Sequence, residues 1–399
     1  MSLIDVFDVV VVGGGPAGAT AATDLASRGR RVLLLDRAGR IKPCGGAIPP
    51  RLIKDFEIPG ELLVARVTSA RMVAPSAAKV DIPIEGGFVG MVDRDVFDEW
   101  LRTRATETGA IRRTGTFDRI ERDEQPGAIV VYRTSSAPED QGLHRVRARV
   151  VVGADGALSA VARQAVPGAS RVPYVFAYHE IVRSPSGSGE GFDPKRCDVI
   201  YQGTTSPDFY SWVFPHGETT SVGSGSAHKG FSLKAAVAAV RKDAGLDASI
   251  TIRKEGAPIP MRPLRRWDNG RDVIVAGDAA GVVAPASGEG IYYAMASARF
   301  VADAVDQLLI SGNTRTLSVA RKRFMRAHGR VFWILGMMQH FWYKSDARRE
   351  RFVSICRDPD VQRLTFEAYM NKQLVRARPL AHVRIFFKDV AHLFGLIKA

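Results

Sequence analysis

The sequence predicts a mixed α/β chain: a parallel sheet with crossover helices, interrupted by an antiparallel sheet domain and followed by a helical C-terminal region. Three observations carry that prediction. An apolar β-branched run, Val9 to Val12, leads into a glycine-rich turn and then an alanine-rich stretch. Two further glycine motifs, beginning at Gly153 and Ala276, each follow an apolar run of strand length. Between them the pattern shortens to alternating pieces separated by polar, turn-rich breaks.

The opening turn, Gly13-Gly14-Gly15-Pro16-Ala17-Gly18, precedes a helical stretch to about Ser27, and residues 31–36 give the second strand. Asp36 comes 23 positions after Gly13, the size and ending of a Rossmann-like βαβ unit. Gly13 permits the tight bend, Gly15 lets the backbone approach a pyrophosphate, and Gly18 lets helix pack closely on strand. Asp36 is placed to accept hydrogen bonds from the ribose of an adenosine.

Residues 66–92 read as short strands, and residues 93–107 as a helix with Phe97, Trp100 and Leu101 on one face. Residues 114–152 return to strands, with hairpin tips at 123–127 and 135–142. The last of these strands ends in Gly153-Ala154-Asp155-Gly156, a turn that alone fits many folds. Residues 175–252 are mostly strand-like, broken at 184–191 and 223–230.

Residues 272–276 restore a buried parallel strand, which feeds Ala276-Gly277-Asp278-Ala279-Ala280-Gly281. Beyond Pro285, Gly288-Glu289-Gly290 opens an alanine-rich helix to about Leu309. A strand ending in Gly277-Asp278 can offer its carboxylate to a polyol hydroxyl. Bare N–H groups at the helix start favour negative charge, such as that of a reduced flavin. Three glycine motifs in this order favour FAD over NAD. The expected boundaries are 1–65, 93–165 and 268–318 for a discontinuous Rossmann-like FAD-binding domain, 66–92 and 166–267 for the inserted substrate-binding sheet domain, and 319–399 for the helical C-terminal region.

The formal net charge is +14, and residues 311–399 hold 18 basic against 6 acidic side chains. The same tail carries Phe332, Trp333, Met337, Phe341 and Trp342, too apolar for an arm that binds nucleic acid through phosphates. It fits either an anionic membrane surface or a helical subdomain with a solvated basic face. Val383, Phe386, Phe387, Val390 and Phe394 fall at helical spacing, with Arg384 and Lys388 elsewhere around the helix. No apolar run reaches about 20 residues and no signal peptide opens the chain. The expectation is a cytoplasmic protein held peripherally at a membrane. Cys44, Cys197 and Cys356 are widely spaced, without metal-site spacing, which suits a reducing compartment.

The string Lys42-Pro43-Cys44-Gly45-Gly46-Ala47-Ile48-Pro49 resembles the geranylgeranyl reductases of the flavoprotein hydroxylase-like superfamily. It is joined by Gly90-Met91-Val92-Asp93-Arg94, Tyr210-Ser211-Trp212-Val213-Phe214-Pro215, Gly288-Glu289-Gly290-Ile291 and Phe366-Glu367-Ala368-Tyr369-Met370-Asn371-Lys372. The resemblance spans essentially the whole chain and is closest to the branch acting on chlorophyll or bacteriochlorophyll. It implies hydrogenation of three double bonds of a geranylgeranyl chain to phytyl, with NADPH as donor through FAD, at the photosynthetic membrane. It also implies FAD contacts from Ala17, Arg37, Cys44, Gly45, Arg94, Asp155 and Ile291, beside the glycines and aspartates above. A surface salt bridge is the alternative for Arg94. The substrate surface it implies is Tyr210, Trp212, Phe214 and Pro215, with plain strand packing as the alternative.

Reducing an isolated alkene requires hydride at one carbon and a proton at the other, with no carbonyl to spread charge. Cys44, on the loop after the second strand, is the first candidate donor, and a compact space-filling thiol is its alternative. Tyr210, His179 and Glu180 follow, each able instead to satisfy a core hydrogen bond. No second GxGxxG follows a strand, so NADPH is expected to dock transiently beside the flavin, with Asp155 on that surface. A flavin monooxygenase of the same fold is a rival that the Cys44 and Trp212 strings disfavour. A non-catalytic prenyl carrier is disfavoured by the intact flavin motifs. Tetrapyrrole-linked and free diphosphate substrates both remain open.

Overall fold

The protein was analysed as a computed structural model, which describes residues 4–37, 41–134, 142–189, 191–363 and 372. The amphipathic pattern at 383–397, most of the turn at 135–142, and the 366–372 motif apart from Lys372 lie outside those residues. Two compact units form: residues 1–42, 94–174 and 258–332, and residues 43–93, 175–257 and 333–399.

The first unit is built on a seven-stranded sheet. The strand Asp5–Val12 pairs in parallel with Val32–Asp36 on one side and with Leu143–Gly153 on the other. Ile111–Thr114 and Val273–Val275 extend the parallel part. A hairpin of Thr116–Glu121 and Ala128–Arg133 adds the antiparallel end, turning at the predicted 123–127 tip. Val9 to Val11 and Val32 to Leu34 are fully buried, as expected of strands covered on both faces by crossover helices. One helix, Pro16–Ala26, starts at the first glycine turn. Another, Ile291–Ser311, starts at Gly290 and packs against the first.

The second unit holds a seven-stranded sheet in the order Thr251–Pro260, Tyr174–Arg183, Thr219–Ser226, Ser211–His216, Arg196–Ile200, Ser69–Val73, Lys79–Pro83. Arg196–Ile200 and Ser69–Val73 run parallel because Ser69–Val73 arrives from a remote chain segment. Residues 43–65 lie in this unit, since Ala47–Ile48 and Ala65–Val67 both pair with Val89–Met91 in a small third sheet. The strand-like reading of residues 175–252 misses one helix, Leu233–Asp243. Ser232 caps it by accepting from the Ala235 N–H, and Val237 and Val240 drive into a core with Val182, Val213 and Val222. Helical spacing of those valines was the available signal. Among the described residues no helix is long and apolar enough to cross a membrane.

Candidate functional site

In the first unit the three glycine motifs converge. A Cβ on Gly13, whose φ is +102°, would meet the Ala154 carbonyl oxygen at 2.4 Å, and one on Gly18 would meet the Gly13 carbonyl oxygen at 1.7 Å. Only glycine fits at either position. The Ala154 N–H donates to the Val12 carbonyl and the Ala276 N–H to the Gly153 carbonyl. A Cβ on Gly277 would touch the Ala17 methyl at 2.7 Å, tying the third motif to the first. Gly15 differs: a Cβ there would meet nothing within 4 Å. That open space fronts the start of the Pro16–Ala26 helix, which has no side-chain cap.

Asp36 ends its strand and accepts from the Gly14 N–H at 3.0 Å. Arg102, which carries no local signal in the sequence, lies 3.3 Å from the Asp36 carboxylate and donates to the Gly14 carbonyl. Arg37 follows Asp36 and is exposed. Asp278 is paired with Lys42 at 2.5 Å, and a Cβ on Gly290 would lie 3.6 Å from the same carboxylate. The helix beginning at Ile291 also lacks a side-chain cap at Gly290, although the Glu289 carboxylate accepts from the Tyr292 N–H. Gly288, with φ +65°, shapes the approach to that helix.

Two of the residues expected to contact FAD also have structural partners. The Asp155 carboxylate turns back to accept from Ser159 Oγ, the Ala160 N–H and the Val161 N–H, so it holds the start of the Ala160–Ala165 helix. Burial pushes its pKa up, against the pull of those three donors. Arg94 is buried in a fork to Asp98 with contacts of 3.0 and 2.7 Å. That ion pair lies inside the fold, not at its surface.

In the second unit the loop carrying Cys44 meets the sheet. The Gly46 N–H points at Cys44 Sγ at 3.4 Å, and a Cβ on Gly45 would touch the Phe214 ring at 3.0 Å. His216, two residues beyond Phe214 and absent from the sequence reading, backs the same loop. A Cβ on Gly46 would stand 2.4 Å from its Nε2. Its Nδ1 donates to the Phe214 carbonyl at 2.9 Å, and burial lowers its pKa to about 4, so the ring is neutral at pH 7.

Strand alternation puts Tyr210, Trp212, Phe214 and His216 on one face. Pro215 belongs with Val213 on the opposite face, the one covered by Leu233–Asp243, so its place beside the three aromatics is corrected. The Trp212 N–H donates to Ser221 Oγ, which also bonds His179 Nδ1, while His179 Nε2 meets Glu255 at 3.0 Å. Both His179 and Glu180 therefore have structural partners, Glu180 through Tyr178 and Arg241. Tyr210 stacks on Phe209 with centroids 4.3 Å apart. Burial pushes its phenol pKa far up, and the Tyr201, Cys44 and Cys197 groups nearby push the same way. Through Gly45 and Phe214 the Cys44 loop reaches the strand face that carries Tyr210.

Among solved structures, one described as a geranylgeranyl bacteriochlorophyll reductase-like protein from Thermoplasma acidophilum is similar over 95% of this chain and 100% of that chain. Its TM-score is 0.80 at 22% identity. A flavin-dependent brominase is similar over 96% of this chain and 99% of that chain, with TM-score 0.73 and 15% identity. These likenesses define the class of fold: a Rossmann-like α/β unit with an added, mainly antiparallel sheet. Residues 8–365 match the family described as Lycopene cyclase protein. A geranylgeranyl diphosphate reductase from Rhodobacter capsulatus is 58% identical over 391 residues, 98% of each chain. The chain belongs to the geranylgeranyl diphosphate reductase family, and so to the oxidoreductases.

Proposed function

We propose that this chain is an FAD-dependent reductase that hydrogenates three C=C bonds of the geranylgeranyl chain of chlorophyll or bacteriochlorophyll to phytyl, drawing on NADPH. The observation that carries the reading is the 58% identity to the Rhodobacter reductase across nearly the whole of both chains. That relative's name favours a second reading, reduction of free geranylgeranyl diphosphate.

The first unit fits FAD. Gly15 leaves room for a pyrophosphate at an uncapped helix start, and Gly13, Ala17 and Gly18 shape that turn. Asp36 and Arg37 would hold the adenosine ribose, with Arg102 setting the Asp36 carboxylate. Gly277, Asp278, Gly288, Gly290 and Ile291 would hold the polyol and ring end at the start of the Ile291–Ser311 helix. The family resemblance assigns Cys44 and Gly45 as further FAD contacts. Bound there, FAD supplies the hydride carrier between NADPH and the alkene.

The chain's own residues do the rest. Tyr210, Trp212 and Phe214 offer apolar surface to the isoprenoid, and Ser221 fixes the Trp212 ring through its N–H. Cys44 Sγ holds the proton for the second alkene carbon. Burial weakens the Tyr210 phenol as an acid, which leaves it the second candidate. The basic C-terminal region would hold the enzyme at the cytoplasmic side of the photosynthetic membrane.

The purified protein should be incubated with NADPH and, separately, geranylgeranyl-bacteriochlorophyll, geranylgeranyl-chlorophyll and geranylgeranyl diphosphate, followed by mass analysis. Successive gains of two, four and six hydrogens on a tetrapyrrole substrate are expected. Gains on the diphosphate alone would select the second reading, and no gain on any would overturn both.

A further inference from the structure

Among the described residues of the first unit, most arginines are neutralised: Arg28 and Arg30 by Asp303 and Asp306, Arg122 by Asp272, Arg147 by Asp123. Several exposed arginines, Arg163, Arg171, Arg315, Arg326 and Arg330 among them, take part in no such pair, and Arg262, Arg265 and Arg266 are the three of this kind that cluster in one short segment. All three are exposed, within five residues of one another, and no ion pair or hydrogen bond from their guanidiniums is found among the described residues.

The segment that carries them is rigidly held. Leu264 and Trp267 are buried anchors. The Leu264 N–H donates to the Ala280 carbonyl at 2.9 Å, its carbonyl accepts from Arg321 Nε at 2.8 Å, and the Trp267 carbonyl accepts from the Val275 N–H. Gly281, at φ +77°, is pressed so closely on this segment that a Cβ would meet the Arg262 carbonyl oxygen at 2.3 Å. The backbone that bears the three arginines is therefore held against the turn that carries Asp278. Arginine forks suit phosphate oxygens bidentately, and a pre-organised loop loses little entropy on binding.

We propose that Arg262, Arg265 and Arg266 form an anion subsite for the phosphate groups of the reduced nicotinamide nucleotide, chiefly the 2′-phosphate that distinguishes NADPH from NADH. This rests on the reading of NADPH as donor. It gives that donor a docking place without a second glycine fingerprint, and it assigns the place to arginines instead of Asp155.

The test uses adenosine 2′,5′-bisphosphate as a probe in titration calorimetry on the flavin-loaded protein, with 5′-AMP as reference. Wild type should bind the bisphosphate about tenfold or more tightly than 5′-AMP, and Arg265→Ala/Arg266→Ala should abolish that difference. In stopped-flow flavin reduction the same variant should need about tenfold more NADPH for half-maximal rate, at an unchanged limiting rate. A bisphosphate preference or an NADPH requirement equal to wild type would overturn the subsite. So would lost flotation on phosphatidylglycerol vesicles with unaltered NADPH kinetics, which would give the arginines to lipid phosphate. Failure of the donor reading looks different: wild-type flavin would stay oxidised under NADPH, and the proposal would fall with it.

Discussion

The Nε2 atom of His216 stands 2.4 Å from where a Cβ on Gly46 would lie, with the Val92 carbonyl oxygen 2.5 Å from the same point. The loop that presents Cys44 is therefore seated on a buried imidazole, and glycine is required there twice over, by φ +68° and by lack of room.

Gly46→Ala should cost roughly 2–4 kcal/mol, from the left-handed backbone and the crowding against a carbonyl oxygen. Thermal unfolding should show the loss, and the rate of Cys44 alkylation should change because the Gly46 N–H no longer faces Sγ. A melting temperature within a degree of wild type would disprove the seating.

His216 also sets a pH dependence. Its folded pKa, about 4, lies below the unfolded value near 6.5, so between these pH values the unfolded chain binds the extra proton. The contribution is complete above about pH 6.5 and is lost as pH falls towards 4, amounting to a few kcal/mol at 1.36 kcal/mol per unit of pKa. Denaturant midpoints at pH 7 and pH 5 should converge in His216→Gln relative to wild type. Parallel losses in the two proteins would assign the acid sensitivity elsewhere.

Gly15 and Gly18 should part company. Gly15 has φ −75° and open space around it, so Gly15→Val should fold normally yet purify colourless, because its side chain occupies the room left for a pyrophosphate. Gly18→Val drives side-chain atoms onto the Gly13 carbonyl and should fail to fold. Circular dichroism and the flavin absorbance separate the two, and a yellow Gly15→Val protein would refute the placement.

Cys44→Ala should retain FAD and its reduction by NADPH, while oxidation of the reduced flavin by the alkene slows about 10²-fold, the scale of a lost general acid. A space-filling thiol predicts turnover within a few-fold and a small loss of stability. Substrate binding measured in the same variant distinguishes a donor from a pocket wall. If binding is lost too, Tyr210 is the next residue to substitute.

The glycine turns, the parallel strands and the two helices behind them were legible because each is a local demand. A turn that closes on a carbonyl excludes any Cβ, and an apolar run of strand length buries both faces wherever it is placed. What the sequence could not reveal was where polar side chains turn once their neighbours arrive. The bonds of Asp155 to Ser159 and the next helix start had no sign in the sequence. The fork of Arg94 on Asp98, one helical turn on, likewise became visible only in the fold. Pro215 shared a string with three aromatics, but a period of two sends it to the opposite face. Arg102 and His216 gave no signal at all, since their partners lie 88 residues away at Gly14 and across a different loop at Gly46. Backbone conformation is set by residues next to one another and so can be read from sequence. Hydrogen-bond and charge partners are chosen among groups that only the packed chain brings within about 3 Å, and that choice belongs to the tertiary structure.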